Sequence, residues 1–138
     1  MIIRAFDRAD TDAVVKVWND CGLTRAHNNP RLDIERKLSV QPELFLVGTV
    51  DDAVMGSIMA GYDGHRGWVN YLAVSPQHQG AGWGRRLMHE VERLLTERGC
   101  PKVNLQIRSG NDQAIAFYRA LGYMADEAVS FGKRIIPD

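Results

Sequence analysis

Between residues 68 and 98 the chain sets glycines, a glutamine and two arginines where they can hold an anion. An apolar run, Trp68-Val-Asn-Tyr-Leu-Ala-Val74, is stopped by Pro76 and followed by Gln79, Gly80, Gly82, Trp83, Gly84 and Arg85. A long amphipathic segment comes next, with Leu87, Met88, Val91, Leu94 and Leu95 on one face of a 3.6-residue period. Gly99 and Pro101 end it. A strand, a glycine loop and a helix start in this order build an anion site. Glycines let ligand oxygens approach the backbone, and first-turn N–H groups, unpaired within the helix, point at them. The spacing narrows the choice of anion. A P-loop would end in Gly-Lys-Ser/Thr, but Gly84 is followed by Arg85-Arg86. A dinucleotide fingerprint would need its third glycine where Arg85 stands.

The elements that position this loop read as a mixed α/β series. Ile2–Phe6 is expected as a first strand, and Asp10 as the cap of a helix running to about Cys21 and ended by Gly22. Residues 23–29 have no period and read as a loop. Asn29-Pro30 fits the cap and first position of a shorter helix, with Leu32, Ile34 and Leu38 apolar. Strands over 44–50 and 53–62 meet in a tight turn at Asp51-Asp52, and residues 63–67 turn into the strand before the glycine loop. After the long helix, Val103, Leu105 and Ile107 alternate as a half-buried strand. A helix starting near Asn111 carries Ala114, Ile115, Phe117, Tyr118 and Leu121. One or two strands are expected from Tyr123 on, where Val129, Phe131 and Ile135 alternate. The order is β-α-α-β-β-β-α-β-α-β, with a further strand allowed, and implies a mixed sheet covered on both faces.

Bulk properties set the outer limits. At 138 residues the chain reads as one domain, 1–138, long enough for a proper core. Seventeen basic residues balance seventeen acidic ones, so no global field points to nucleic acid or an anionic membrane. No apolar run approaches a membrane span, and the opening Met1–Phe6 meets Asp7 too soon for a secretory signal. A cytoplasmic protein is expected. Cys21 and Cys100 fit no metal spacing and lie in or beside apolar runs, which reads as buried free thiols in a reducing compartment.

Two motifs carry a resemblance. Gln79-x-x-Gly82-x-Gly84 after Leu72-Ala73-Val74-x-Pro76 resembles the pyrophosphate-binding signature of the GNAT superfamily of N-acetyltransferases. Asn111-x-x-Ala114-x-x-Phe117-Tyr118-x-x-x-Gly122-Tyr123 is similar to the C-terminal signature of the same superfamily. The succession of elements matches the GNAT fold, a mixed, mostly antiparallel sheet of six or seven strands with helices on both faces. Asp33–Lys37 and Tyr62–Gly67 add a narrower likeness to small bacterial members of the YpeA type.

The resemblance implies an acetyl-CoA-dependent N-acetyltransferase, with no metal, that moves an acetyl group to a primary amine of a small molecule or peptide. It implies that the backbone of Leu72, Ala73 and Val74 holds the pantetheine, and that Gln79, Gly80, Gly82, Trp83, Gly84 and Arg85 hold the pyrophosphate. Asn111 and Ala114 would also meet the cofactor, and the Tyr118 hydroxyl would face its sulfur. A phenol can protonate a departing thiolate. The base is harder to name. Many relatives carry a Glu early in the cofactor strand where Trp68 stands here. Relatives that acetylate ribosomal-protein N-termini often read Leu-Glu-Val-Arg, against Leu105-Gln106-Ile107-Arg108 here, and Gln106 cannot take a proton as a carboxylate can. Left as candidates are His65 as base with Asp63 holding the acceptor amine, or a water relayed through Asn70 or Tyr71. Residues 25–29 and 63–66 would line the acceptor's entrance. A silent acyl-CoA-binding regulatory domain is the alternative, and a homodimer is left open.

Overall fold

The computed structural model describes residues 1–25 and 28–137. It comprises two compact units, Met1–Leu105 and a second from Gln106 onward. In the first unit the elements are β1 (Ile2–Ala5), α1 (Thr11–Asp20), α2 (Pro30–Leu38), β2 (Phe45–Val50), β3 (Ala53–Tyr62), β4 (Gly67–Val74), α3 (Trp83–Glu97) and β5 (Val103–Leu105). The five strands form one sheet in chain order, antiparallel from β1 to β4 and parallel between β4 and β5. Asp51 and Asp52, with φ of 50° and 65°, form the hairpin turn between β2 and β3. Two left-handed residues in a row match the twist of the strands they join.

Neighbouring residues on β3 show that helices cover both faces. The Ser57 hydroxyl accepts a hydrogen bond from the Trp18 indole of α1. A Cβ on the adjacent Gly56 would instead meet Leu87 of α3 at 3.3 Å. Successive strand residues point to opposite faces, so α1 and α3 lie on opposite sides of the sheet. On the α1 side Val14, Val17, Trp18, Ile34, Phe45, Val47, Met59 and Ala73 form a buried core. Leu87, Met88, Val91 and Leu95 are the buried positions of α3, the stripe its periodicity prescribes.

Local chemistry sets the helix starts. Asn29 accepts from the Leu32 N–H at 3.1 Å and Pro30 takes the first helical position of α2. Asp10 stands at the start of α1 but makes no side-chain cap there. Its carboxylate is held by Arg4 at 2.7 and 2.9 Å and accepts the Asp7 N–H at 2.9 Å. An ion pair and the turn before the helix have claimed the capping group.

The second unit contains α4 (Asp112–Ala120), capped by Asn111, whose side chain accepts from the Ala114 N–H at 3.1 Å. Here the six- or seven-stranded expectation is corrected. Among the described residues the sheet has five strands, and those from Tyr123 on form none. Val129, Phe131 and Ile135 are 82%, 93% and 88% exposed. Alternation specifies a strand only when one face is buried and a neighbouring backbone completes the ladder, and neither condition is met there. β5 ends at Leu105 rather than Ile107, although Ile107 is as half-buried as the strand residues, because the β4–β5 ladder stops at Val69–Leu105.

Candidate functional site

The site is organised by a kink in β4. Ser57 pairs with Ala73 and Met59 with Asn70, so three residues of β3 stand opposite four of β4. The extra residue makes a bulge at Tyr71–Leu72, where Tyr71 has a φ of 52°. A tyrosine in the left-handed region is strained by roughly 1–3 kcal/mol and needs neighbours to hold it. They are visible. Ser57 Oγ donates to the Tyr71 carbonyl at 2.9 Å while accepting from Trp18 Nε1 at 2.8 Å. The Trp18 indole stacks on the Tyr71 ring with centroids 3.8 Å apart and planes 12° from parallel. At the far end of that ring the Tyr71 hydroxyl donates to Asp33 Oδ2 of α2 at 2.6 Å.

The bulge changes what the next strand can do. The β4–β5 pairs are Gly67–Val103, Trp68–Asn104 and Val69–Leu105, and the ladder ends there. Asn70 through Val74 therefore continue beyond the last β5 pair, a backbone edge along which an extended ligand can lie as a further strand. Past β4, the Gln79 side-chain amide donates to the Val74 carbonyl at 2.9 Å and ties the loop to the strand end. Gln79 is thus a brace for the loop. Gly80 and Gly82 both adopt left-handed φ, 83° and 80°, and a Cβ on either would meet nothing within 4 Å. They open onto space that a side chain would fill. Gly82 is the residue preceding α3, and no side chain caps that helix. The N–H groups of Trp83, Gly84 and Arg85 thus have no partner within the helix, and the Arg85 and Arg86 side chains are exposed beside them. The Trp83 ring stacks on His78, centroids 5.1 Å apart.

Of the other sequence candidates, Asp63 and His65 lie in the turn before β4, and Asn111, Ala114 and Tyr118 belong to the second unit. Asp63 Oδ1 accepts the N–H groups of His65 and Arg66, both at 2.7 Å. The Arg66 and His65 backbone bonds hold the Asp63 carboxyl below its usual range. Asp63 and His65 precede β4, and the four residue steps from Gly67 to Tyr71 span about 13 Å of strand. The structure places this pair at the far end of β4 from the bulge. In the second unit, Tyr118 packs edge-on against Phe117 and Tyr123, and burial pushes its hydroxyl up to about 12. Asn111 and Ala114 are joined by the cap bond of α4. The Gln106 amide donates to Ser130 Oγ. Arg25, Asn28 and Asn29 are described, whereas Ala26 and His27 of the expected entrance segment lie outside the described residues.

Cys21 and Cys100 are free and only half-buried. Cys21 Sγ donates to the Val74 carbonyl at 3.2 Å, and burial raises its thiol above the ordinary value, so it is not a thiolate at neutral pH. Among the described residues no group of three or more His, Cys, Asp and Glu is placed to hold a metal ion. Nor is any described helix long and apolar enough to cross a membrane.

Sequence reasoning missed Ser57 and Asp33. Ser57 had a signal, a lone hydroxyl inside the apolar Met55–Ala60 run. Asp33 adjoins the inward-facing Ile34 on α2, at the edge of the buried face. That position marks a carboxylate turned toward the sheet only once the partner strand is known.

Comparison with known proteins agrees with this geometry. The sequence model of the acetyltransferase (GNAT) family matches residues 4–123. A Yersinia enterocolitica protein called acetyltransferase is 46% identical over 138 residues, covering 100% of this chain and 98% of that one. A Sodalis glossinidius protein of the same description is 48% identical over 139 residues, with the same coverage. Among solved structures, Ard1 from Thermoplasma volcanium superposes with a TM-score of 0.78 at 30% identity, over 89% of this chain and 82% of that one. A five-stranded mixed sheet, a kinked fourth strand and a glycine loop at a helix start define an acyl-transferring enzyme of the acetyltransferase class. The chain belongs to the GNAT family of acetyltransferases.

Proposed function

We propose that this protein transfers the acetyl group of acetyl-CoA to a primary amine of a small molecule or peptide by direct attack on the thioester. The observation that carries the reading is the continuity of β4. Its edge passes beyond β5 after Val69, kinks at Tyr71 and leads within a few residues to the open Gly80–Gly82 cradle at the start of α3. A ligand with an extended arm and a pyrophosphate fits that sequence of features. The backbone of Leu72–Val74 would hold the arm, and the N–H groups of Gly80–Arg85 the phosphates. Acetyl-CoA supplies the activated acyl group as a cosubstrate.

The chain's own residues then have three tasks. The kinked strand turns a backbone N–H toward the developing oxyanion. Tyr118, assigned on its motif, donates a proton to the departing thiolate. At about 12 its hydroxyl stays protonated throughout the neutral range, as a donor must. Asp63 and His65 form the rim at the start of β4, where a cationic acceptor would first be met. The family match over 4–123 runs from the first compact unit into the second and supports treating residues 1–138 as one working domain.

A mass-spectrometric screen of amines and peptides with acetyl-CoA tests the reading. Acetylated product from at least one amine is expected. Tight acetyl-CoA binding with no turnover on any acceptor would instead establish the silent, regulatory alternative.

A further inference from the structure

The proposed transfer requires a group to take a proton from the acceptor, because an alkylamine is largely an ammonium ion at neutral pH. Trp68 stands where the resemblance to the GNAT family would put a carboxylate, and Gln106 is an amide engaged with Ser130. A carboxylate held by the residue at the bulge supplies the missing group. Asp33, on α2, accepts the Tyr71 hydroxyl at 2.6 Å through Oδ2. Its other oxygen is 3.8 Å from Arg36, an ion-pair distance beyond hydrogen bonding, and its side chain is 27% exposed.

The surroundings fix this carboxylate in place. Tyr71 is clamped by the Trp18 stack and by Ser57, so its hydroxyl holds Asp33 at a set position at the far end of the ring. Tyr71, Asn70 and Trp68 share the α2 side of β4. Trp68 pairs with Gly61, whose missing side chain faces Lys37 and Gln41, and Asn70 pairs with the core residue Met59. Trp68 is 39% exposed and Asn70 is exposed, so this face is open to solvent on the approach to Asp33. One turn along α2, Lys37 donates to the Ala60 carbonyl, which turns its ammonium toward the sheet. The neighbouring acids are paired with other groups, Glu35 with Arg8 and Asp12 with Arg31.

We propose that Asp33, positioned by Tyr71, receives the acceptor's ammonium group and takes its proton. This rests on the acetyl-transfer reading and narrows the substrate class to cationic primary amines. The ammonium N–H proton passes to an Asp33 oxygen, and the freed lone pair forms the N–C bond. The nitrogen, now positively charged, loses its second proton to solvent. The C–S bond breaks with its electrons going to sulfur, which takes a proton from the acid assigned to Tyr118, and the Tyr118 oxygen regains one from solvent. Asp33 then returns its proton to solvent. Asp33 is the reacting group and Tyr71 a positioning residue.

The test uses the full chain with acetyl-CoA and two probe acceptors: n-butylamine, an ammonium ion at neutral pH, and hydroxylamine, which is neutral there. Wild type should acetylate both. Asp33→Asn should lower kcat/KM for n-butylamine by about 10²–10³-fold and for hydroxylamine by less than about threefold. Calorimetric CoA affinity should be unchanged. Tyr71→Phe keeps the ring stack and removes only the hydroxyl. It should show the same selectivity at about tenfold, expressed mainly in kcat, and serves as the deciding variant if Asp33→Asn does not fold. Equal losses on both probes, or no loss on n-butylamine, overturn the assignment and leave a bond that merely docks α2. A wild type that binds acetyl-CoA and acetylates no amine overturns the transfer reading, and the role of Asp33 falls with it.

Discussion

Ser57→Ala is the sharpest probe of the kinked strand. The Ser57 side chain is fully buried, bonded on one side to the Trp18 indole and on the other to the Tyr71 carbonyl. Removing the hydroxyl leaves the indole N–H buried without a partner, which costs about 1–3 kcal/mol. It also withdraws one donor from the Tyr71 carbonyl, a further 0.5–1.5 kcal/mol or so. A loss of about 2–4 kcal/mol is expected, read by urea denaturation with an unchanged m value. The released bulge should also weaken acetyl-CoA binding by about tenfold, equivalent to roughly 1.4 kcal/mol. A double-mutant cycle separates the contributions. In a Trp18→Phe background there is no indole N–H to orphan, so Ser57→Ala should cost about 1–2 kcal/mol less than in wild type. A loss below about 1 kcal/mol, or strict additivity with Trp18→Phe, would refute the clamp.

Gly82→Val puts a branched side chain into the open cradle and onto a left-handed backbone. The fold should survive with lower stability, while CoA affinity by calorimetry falls on the order of 100-fold or more, since a Cβ occupies the phosphates' approach. Tyr118→Phe should reduce kcat by roughly 10²–10⁴-fold with acetyl-CoA affinity retained. It also has a signature in stability. Burial raises this hydroxyl from 10 to about 12, so its contribution is fully present below pH 10 and lost as pH rises through 12. Wild type should therefore lose about 2–3 kcal/mol more than Tyr118→Phe over that window in alkaline denaturation curves. Asp63→Asn removes charge at the rim but keeps an oxygen for the His65 and Arg66 N–H groups. It should raise KM for a cationic acceptor by about two- to fivefold, weakening as salt is added, with kcat unchanged.

What was legible in the sequence followed from local rules. The Asn29-Pro30 helix start, the Asp51-Asp52 hairpin, the α3 stripe and the strand-loop-helix order of the anion site each depend on residues close in sequence. The kink at Tyr71 does not. It arises because four residues of β4 meet three of β3, a register fact that no single run of residues contains. Asp33 was hidden for the same reason, since its partner is 38 residues away on β4. The alternation at Val129–Ile135 failed in the opposite direction, a local pattern with no tertiary partner to make it a strand.

The most direct test of the central claim is to titrate ¹⁵N-labelled protein with acetyl-CoA and follow the backbone amides. Saturable binding is expected, with the largest shifts at Leu72–Val74 and Gly80–Arg85 and their loss at the loop in Gly82→Val. Binding that leaves those amides unmoved, or no binding at all, would contradict it.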